Sequence, residues 1–257
     1  MAAVKCERCE KPMPEGRARC PSCKKWNLRV VGGVTDASVL LSSVQDITEQ
    51  RILSGPWDYC FGGGIVRSSA TLFGGSPGAG KTTLLLQLAG IIAGIEQGET
   101  MYVAAEQSLA ELKMTAQRIQ VENMNKVRMI PAMGHANENI GSLFYKYKPK
   151  LVIIDSLQGL IGDDMPLSLK MCELCKQHAV ALGCPFIIIS QVNKGLELQG
   201  LMSLQHAVDT TMTFFPDNEN GTRILNVEKN RFGADVAMRF KMTERGLIAV
   251  IKETEET

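Results

Sequence analysis

Apolar residues follow two rhythms along this chain. Between residues 70 and 189, short apolar runs alternate with longer stretches where apolar positions recur every three or four residues. The runs are Ala70-Thr71-Leu72-Phe73, Met101-Tyr102-Val103-Ala104-Ala105, Val127-Arg128-Met129-Ile130, Leu151-Val152-Ile153-Ile154 and Phe186-Ile187-Ile188-Ile189. Strands of this kind are buried on both faces, which predicts a parallel sheet with helices on either side. The longer stretches supply the helices. One runs on from Thr83 and carries Leu84, Leu85, Leu88, Ile91, Ile92 and Ile95. A second begins at Ser108 and sets Leu109, Leu112, Thr115, Ala116 and Ile119 on one face. Asn137–Tyr147 and Pro166–Leu182 predict two more. Gly90 and Gly94 each cost helix propensity, roughly 1 kcal/mol, and close packing on the sheet would explain them. Beyond residue 200 the rhythm shortens. Thr210–Phe215, Arg223–Glu228, Met238–Met242 and Leu247–Val250 read as strands with no helices between them, an antiparallel extension of the sheet edge.

The first fifty residues are different. Residues 1–30 hold few large apolar side chains, too few for a core. They carry Cys6-x2-Cys9 and Cys20-x2-Cys23, separated by ten residues. Two such knuckles can bring four thiolates to a tetrahedral Zn²⁺, which would have to fold the segment. This predicts a zinc ribbon over 1–30, a linker over 31–50, a main domain over 51–252 and a polar tail over 253–257. The ribbon's eight Lys and Arg residues outnumber its three Glu, a small basic patch that could touch DNA or simply be solvated.

Composition narrows the possibilities. The 257 residues suit one large domain with a small module, and 45% hydrophobic with 21% charged residues is ordinary for a globular chain. No run approaches the roughly 18 apolar residues of a membrane span, and Met1–Cys6 is no signal core. Eight cysteines without an export signal point to a reducing, cytoplasmic setting and to metal rather than disulfides. A net charge of +1 excludes a uniformly basic nucleic-acid coat, so any DNA contact is local.

The sharpest chemistry follows the first buried strand. Gly75-Ser76-Pro77-Gly78-Ala79-Gly80-Lys81-Thr82 has the spacing G-x-x-x-x-G-K-T between a strand and a helix. That is a phosphate-binding loop, in which glycines let backbone amides close on phosphate oxygens and the helix start adds its dipole. Residues Gly75 to Thr83 are the candidate ATP site. Lys81 is placed for the β- and γ-phosphates and the Thr82 hydroxyl for Mg²⁺. Ligands of open α/β sheets sit beyond the carboxyl ends of the strands, and polar residues fall at three such ends. Asp155 closes Leu151–Ile154 as a Mg²⁺-holding acid, Glu106 follows Met101–Ala105 as the carboxylate for an attacking water, and Gln191 follows Phe186–Ser190 as a γ-phosphate sensor. Lys229 and Arg231, at i and i+2 after a strand, share a face and could reach a neighbouring subunit's γ-phosphate or a DNA backbone. Other features read as structure. Asp163 and Asp164 cap a helix, Cys172-x2-Cys175 packs inside one, Cys60 and Cys184 are core or loop thiols, and His135, His178 and His206 share no metal spacing.

These motifs together resemble the RadA/Sms family, bacterial RecA-superfamily recombination ATPases that look like DnaB-type helicases. The residues carrying the resemblance are RCPSCKKWN, RILSG with FGGGIV, GGSPGAGKTTLLLQ, YVAAEQS, LVIIDSLQ, LQHAVDT and KNRFG followed by FKMTERGL. KNRFG is the most specific. The resemblance implies a RecA-like core behind a zinc ribbon, and a ring hexamer with ATP between subunits. It also implies single-stranded or branched DNA in the channel, branch migration and a possible recombinase partner. Lys194, in the segment Val192–Leu201, has the place of the DNA-facing loop, without the usual T-K-E-G and G-P pieces. The chain also stops where the family continues into a Lon-protease-like domain, which suggests a compact form. A DNA-dependent ATPase motor is the leading expectation; a nucleotide-switched zinc-ribbon adaptor and a DnaB-like replicative helicase are the alternatives.

Overall fold

The computed structural model describes residues 4–5, 9–13, 22–23, 42, 50–132, 140–191, 203–218 and 220–250. The chain divides into two compact units, Met1–Gln45 and Asp46–Thr257. In the first, β1 (Val4–Lys5) pairs antiparallel with β2 (Pro12–Met13), with Lys5 opposite Pro12. In sequence, the first Cys-x2-Cys pair lies between these two strands. Cys9 and Cys23 are partly exposed, while Cys6 and Cys20 lie outside the described residues.

The second unit opens with a short antiparallel pair, β3 (Arg51–Ile52) and β4 (Ile65–Val66), around a 3-10 turn at Gly55–Tyr59. Arg51 fastens this entry. Its guanidinium donates to the carbonyls of Phe61 at 3.1 Å, Gly64 at 3.0 Å and Phe232 at 2.9 Å. Gly62 and Gly233 meet backbone to backbone there, since a Cβ on Gly62 would stand 2.7 Å from the Gly233 Cα. RILSG and FGGG thus form one structural joint with KNRFG, whose Phe232 lies 181 residues beyond Arg51 in sequence.

The α/β body follows as β5 (Ala70–Gly75), α1 (Lys81–Ile95), β6 (Thr100–Ala104), α2 (Leu109–Arg118), β7 (Val127–Pro131), α3 (Ile140–Tyr147), β8 (Val152–Asp155), α4 (Leu157–Ile161), α5 (Met165–Leu182) and β9 (Phe186–Gln191). Then come β10 (Thr210–Asp217), β11 (Thr222–Asn230), β12 (Ala237–Thr243) and β13 (Gly246–Val250). One nine-stranded sheet runs in the order β13-β12-β11-β10-β5-β9-β8-β6-β7.

Alternate residues of the central strands enter two cores. Phe73, Tyr102, Ile153, Ile187 and Ile189 join Leu84, Leu85, Leu88 and Ile92 of α1 and Leu112 of α2 on one face. Leu72, Met101, Val103, Val152, Phe186 and Ile188 join Phe144 of α3 and Cys172, Cys175 and Ala179 of α5 on the other. Strands buried on both faces and helices on both sides are what the unbroken apolar runs require. The Cys172 and Cys175 side chains are packing groups. Burial pushes the Cys172 thiol up to about 12 and raises Cys175 too, so neither is a thiolate at neutral pH.

Three details depart from the sequence pattern. β10 is parallel to β5, with Thr210 opposite Thr71, so the antiparallel extension begins only at β11. Residues Thr210–Phe214 are all buried, as an inner strand must be. α4 is an unforeseen helical turn, with the Ser156 hydroxyl accepting from the Gly159 N–H at its N-cap. Gly90 does not face the sheet. A Cβ there would meet the carbonyl oxygen of Glu122 at 2.2 Å, and one on Gly94 would meet the Asn123 side chain at 2.4 Å. The turn after α2 lies directly against α1 at these glycines. Helix propensity alone would make Gly90→Ala stabilising by about 1 kcal/mol. We expect the opposite sign, a loss on the order of 1–3 kcal/mol from overpacking, read as a lower midpoint in chemical denaturation.

Candidate nucleotide-binding site

The sheet register brings the predicted polar residues to one edge. Gly75 pairs with Gln191 across β5 and β9, and Asp155 pairs with Ala104 across β8 and β6. Glu106 follows two residues beyond Ala104 and is exposed. A cavity of about 300 Å³ opens there, lined by Gly80, Lys81, Thr82, Glu106, Asp155 and Gln191 among others. Lys81, Glu106, Asp155 and Gln191 come from four different elements, yet they share this one space.

The loop's backbone takes the shape its glycines permit. Gly78 and Gly80 have φ of +74° and +99°, the left-handed region that side chains rarely adopt. Gly80 is the N-cap of α1, and no side chain caps it, so the first amides of the helix are left to a ligand or solvent. Lys81 is buried, and its ammonium donates to the carbonyls of Gly75 at 2.7 Å and Ser76 at 3.1 Å. Burial lowers its pKa, against the pull of Asp155 and Glu106. The Ser76 hydroxyl oxygen is buried without a hydrogen-bond partner among the described atoms.

Asp155 is 4% exposed. Its Oδ2 accepts from the Thr82 hydroxyl at 2.9 Å and from the Tyr102 hydroxyl. Burial raises its pKa above the ordinary carboxylate value, only partly offset by these two donors and by Lys81. Tyr102 is itself wholly buried, and burial together with Asp155 keeps its phenol protonated. Beside it, Gln158 ties α4 to the end of β9. Its Nε2 donates to the Ser190 hydroxyl at 3.0 Å, and its Oε1 accepts the Gln191 N–H at 3.1 Å. These hard oxygen donors and the uncapped helix start fit a magnesium-bound polyphosphate.

Several cavity residues escaped the sequence pattern. Thr115 and Arg118 line the cavity from α2. The sequence pattern groups Thr115 with the apolar face of that helix; i, i+3 spacing to Arg118 is the signal for a second, polar face. Met242 reaches the cavity from β12. Arg223, at the start of β11, donates from Nε to the Ala79 carbonyl at 3.2 Å. Tyr102 and Gln158 read as strand and helix residues, and only the fold shows their polar ends.

Lys229 and Arg231 lie elsewhere. They sit at the end of β11 beside Thr210 and Thr211, which flank the beginning of β5 rather than its Gly75 end. Along β5, Lys229 stands level with Leu72, about 10 Å short of Gly75 at the usual rise per residue, and Arg231 level with Ala70, about 17 Å short of it, with β10 lying between them and the loop's strand. Both meet the segment before β10. Lys229 donates to the carbonyls of Gln205 and Val208 (2.8 Å to the latter), and Arg231 to Asp209 at 3.3 Å. Burial lowers the Lys229 pKa, reinforced by Arg231 and Lys176 and opposed by Asp209. Lys194 and His135 fall outside the described residues. Among the described residues, no cluster of three or more His, Cys, Asp or Glu could hold a metal ion. No helix among them is long and apolar enough to cross a membrane.

Residues 56–255 match the family described as "ATPase: KaiC". The chain is also similar to proteins named DNA repair protein RadA. It is 33% identical to that of Rickettsia bellii and 28% identical to that of Bacillus subtilis, in both cases over 97% of this chain and 60% of the relative. The Aquifex aeolicus protein is 31% identical over 95% of this chain and 59% of its own length. The chain thus spans about 60% of the length of these relatives. Among solved structures, a KaiC-like protein from Pyrococcus horikoshii OT3 superposes with a TM-score of 0.65 at 17% identity. That match covers 78% of this chain and 99% of the archaeal protein, a likeness of fold.

A buried carboxylate costs stability where it is not fully compensated. We therefore expect Asp155→Asn to raise the thermal midpoint of the chain measured without nucleotide, since the amide oxygen can still accept from Thr82 and Tyr102. The same variant should lose magnesium-dependent nucleotide binding in calorimetric titration. An unchanged or lowered midpoint would contradict the electrostatic account.

Proposed function

The chain belongs to the KaiC-type ATPase family, and from that premise we propose that it is a DNA-dependent ATPase. In this reading it is a RadA-like motor acting on single-stranded or branched DNA in recombination and repair. The observation that carries the proposal is the separation of Lys229 and Arg231 from their own chain's cavity along β5. Cations so placed cannot serve the nucleotide of the same chain, whereas they can serve one bound to the next subunit of a ring. The name shared by the relatives, DNA repair protein RadA, supports the setting.

The cavity's residues divide the work. Lys81 and the backbone N–H groups of Gly78–Thr83 hold the phosphates of ATP. Thr82 and Asp155 would hold Mg²⁺, which would supply neutralisation of the phosphate charge. Glu106, exposed at the cavity and close to a strand end, orients the attacking water and takes its proton; general bases of this kind contribute about 10²–10⁴ in rate. Gln191 stands where β9 leaves the sheet for residues 192–202, and Gln158 holds its amide. It can thereby transmit the state of the γ-phosphate to that segment, which includes Lys194. The partner subunit's Arg231 and the partner subunit's Lys229 add positive charge as the terminal phosphate departs. Such an arginine is worth about 10³–10⁵ in rate.

The four cysteines Cys6, Cys9, Cys20 and Cys23 form a zinc ribbon in this reading. The antiparallel β1–β2 pair supports it, because Cys9 lies between the two strands in sequence. The purified chain should contain about one zinc per molecule by elemental analysis, and a metal-free folded chain would remove the ribbon.

Action in trans is tested by mixing. Lys81→Ala and Arg231→Ala should each lack DNA-stimulated ATP hydrolysis. Mixed together, they should regain a sizeable fraction of turnover, because an intact loop on one subunit meets an intact arginine on the other. Mass measurement in parallel should show an oligomer. A monomer whose hydrolysis ignores DNA, or a mixture as inactive as its components, would refute the motor reading.

A further inference from the structure

The segment LQHAVDT carries, one residue before its end, a carboxylate to which the mechanism above gives no task. Asp209 has a side chain only 6% exposed. Its two oxygens are used differently. Oδ2 accepts the Ala70 N–H at 3.1 Å, and the Asp209 N–H donates to the Ala70 carbonyl at 2.9 Å. These bonds lock the carboxylate to the first residue of β5, the strand that ends in the phosphate loop. Oδ1 accepts from Lys176 at 2.7 Å and from Arg231 at 3.3 Å. The Arg231 N–H also donates to the Asp209 carbonyl at 3.2 Å.

Asp209 is therefore anchored on one side and shared on the other. Lys176, from α5, takes the shorter contact. Arg231 takes the longer one and keeps half of its side chain exposed. A guanidinium held this way has a set direction, because its backbone and one nitrogen are both fixed to the same residue. It is not neutralised, because the carboxylate's charge is divided between two cations. An arginine that must meet a phosphate on another chain needs this combination. A freely rotating side chain would lose rotamer entropy on each encounter, and a tightly paired one would have to break a salt bridge first.

We propose that Asp209 is the positioning residue of Arg231, aiming the guanidinium at a neighbouring subunit's nucleotide while Lys176 limits how firmly it is held. The inference rests on the trans role of Arg231 proposed above. Asp209 touches no nucleotide; its effect passes through Arg231.

The test is a double-variant cycle on the full chain with ATP and single-stranded DNA. Asp209→Asn keeps an acceptor for the Ala70 N–H and removes the charge. It should lower kcat about 10- to 100-fold and leave KM for ATP within about twofold, the pattern of an interaction realised in the transition state. In the Arg231→Ala background the same change should have no further effect. Lys176→Gln leaves Asp209 and its bonds to Ala70 intact and gives Arg231 the whole carboxylate. It should lower kcat at least threefold, again only when Arg231 is present, and it serves as the readout if Asp209→Asn does not fold. Normal kcat in both variants, or an equal loss in the Arg231→Ala background, overturns the positioning role while leaving the trans role standing. Full turnover by Arg231→Ala alone overturns the trans reading and this one with it.

Discussion

The placement of β5 between two parallel neighbours is the constraint on which the rest depends. β9 pairs along its entire length on one side and β10 on the other, so its last residue has no lateral freedom. Gly75 closes the strand with its backbone against β10; a Cβ there would lie 2.3 Å from the Phe214 carbonyl oxygen. Only glycine allows the chain to leave the sheet at that point, and the loop to begin where the carboxyl ends of β9 and β8 already stand. The amine of Lys81 folds back onto the carbonyls of Gly75 and Ser76. The loop is thus fixed by the sheet below it and by its own lysine, before any ligand contributes.

Burying that edge imposes a second condition. Asp155 and Lys81 are both removed from water, and burial moves both pKa values towards their neutral forms. The site withstands this because Asp155 takes two hydroxyl donors and Lys81 two carbonyl acceptors. Tyr102 is what makes the arrangement possible. It is a wholly buried core side chain whose ring packs with α1 and whose hydroxyl reaches the carboxylate. One residue serves the hydrophobic core and the polar edge together.

This explains which parts were legible in the sequence. The P-loop, β5 to β9 and the helices α1 and α5 announce themselves through unbroken apolar runs and a fixed glycine spacing, both local signals. The parallel pairing of β10 was hidden, because Thr210, Thr211 and Thr213 look polar but are buried; Thr213 satisfies its hydroxyl on Glu228. Arg118 and Thr115 were hidden because an apolar stripe defines a helix's inner face and is silent about its polar one. Gln158 was hidden because its two partners lie more than thirty residues ahead of it. The glycines of α1 gave a correct signal of close packing with the wrong neighbour. A missing Cβ reports that something approaches and does not report whether it is a strand or the turn after α2.

The charges around the cavity bear on whether one chain holds a complete site. Its charged lining consists of Lys81 and Arg118 against Glu106 and Asp155, which balance. A magnesium–ATP complex brings roughly two net negative charges, and these grow more localised as the terminal phosphate departs. On the cavity side the loop's backbone N–H groups and the uncapped start of α1 remain to meet them, with partial charges only. β11 offers the match in the wrong place for its own chain. One end touches the phosphate loop through Arg223 and the Ala79 carbonyl; the other carries Lys229, held on the Val208 carbonyl, and leads to Arg231, which shares the carboxylate of Asp209 with Lys176. In the trans arrangement proposed above, the cations at one end of the sheet would meet a nucleotide held at the other end of the next copy. β11, which contacts the loop near its start through Arg223 and carries Lys229 near its end, would then tie the geometry of one site to that of the next.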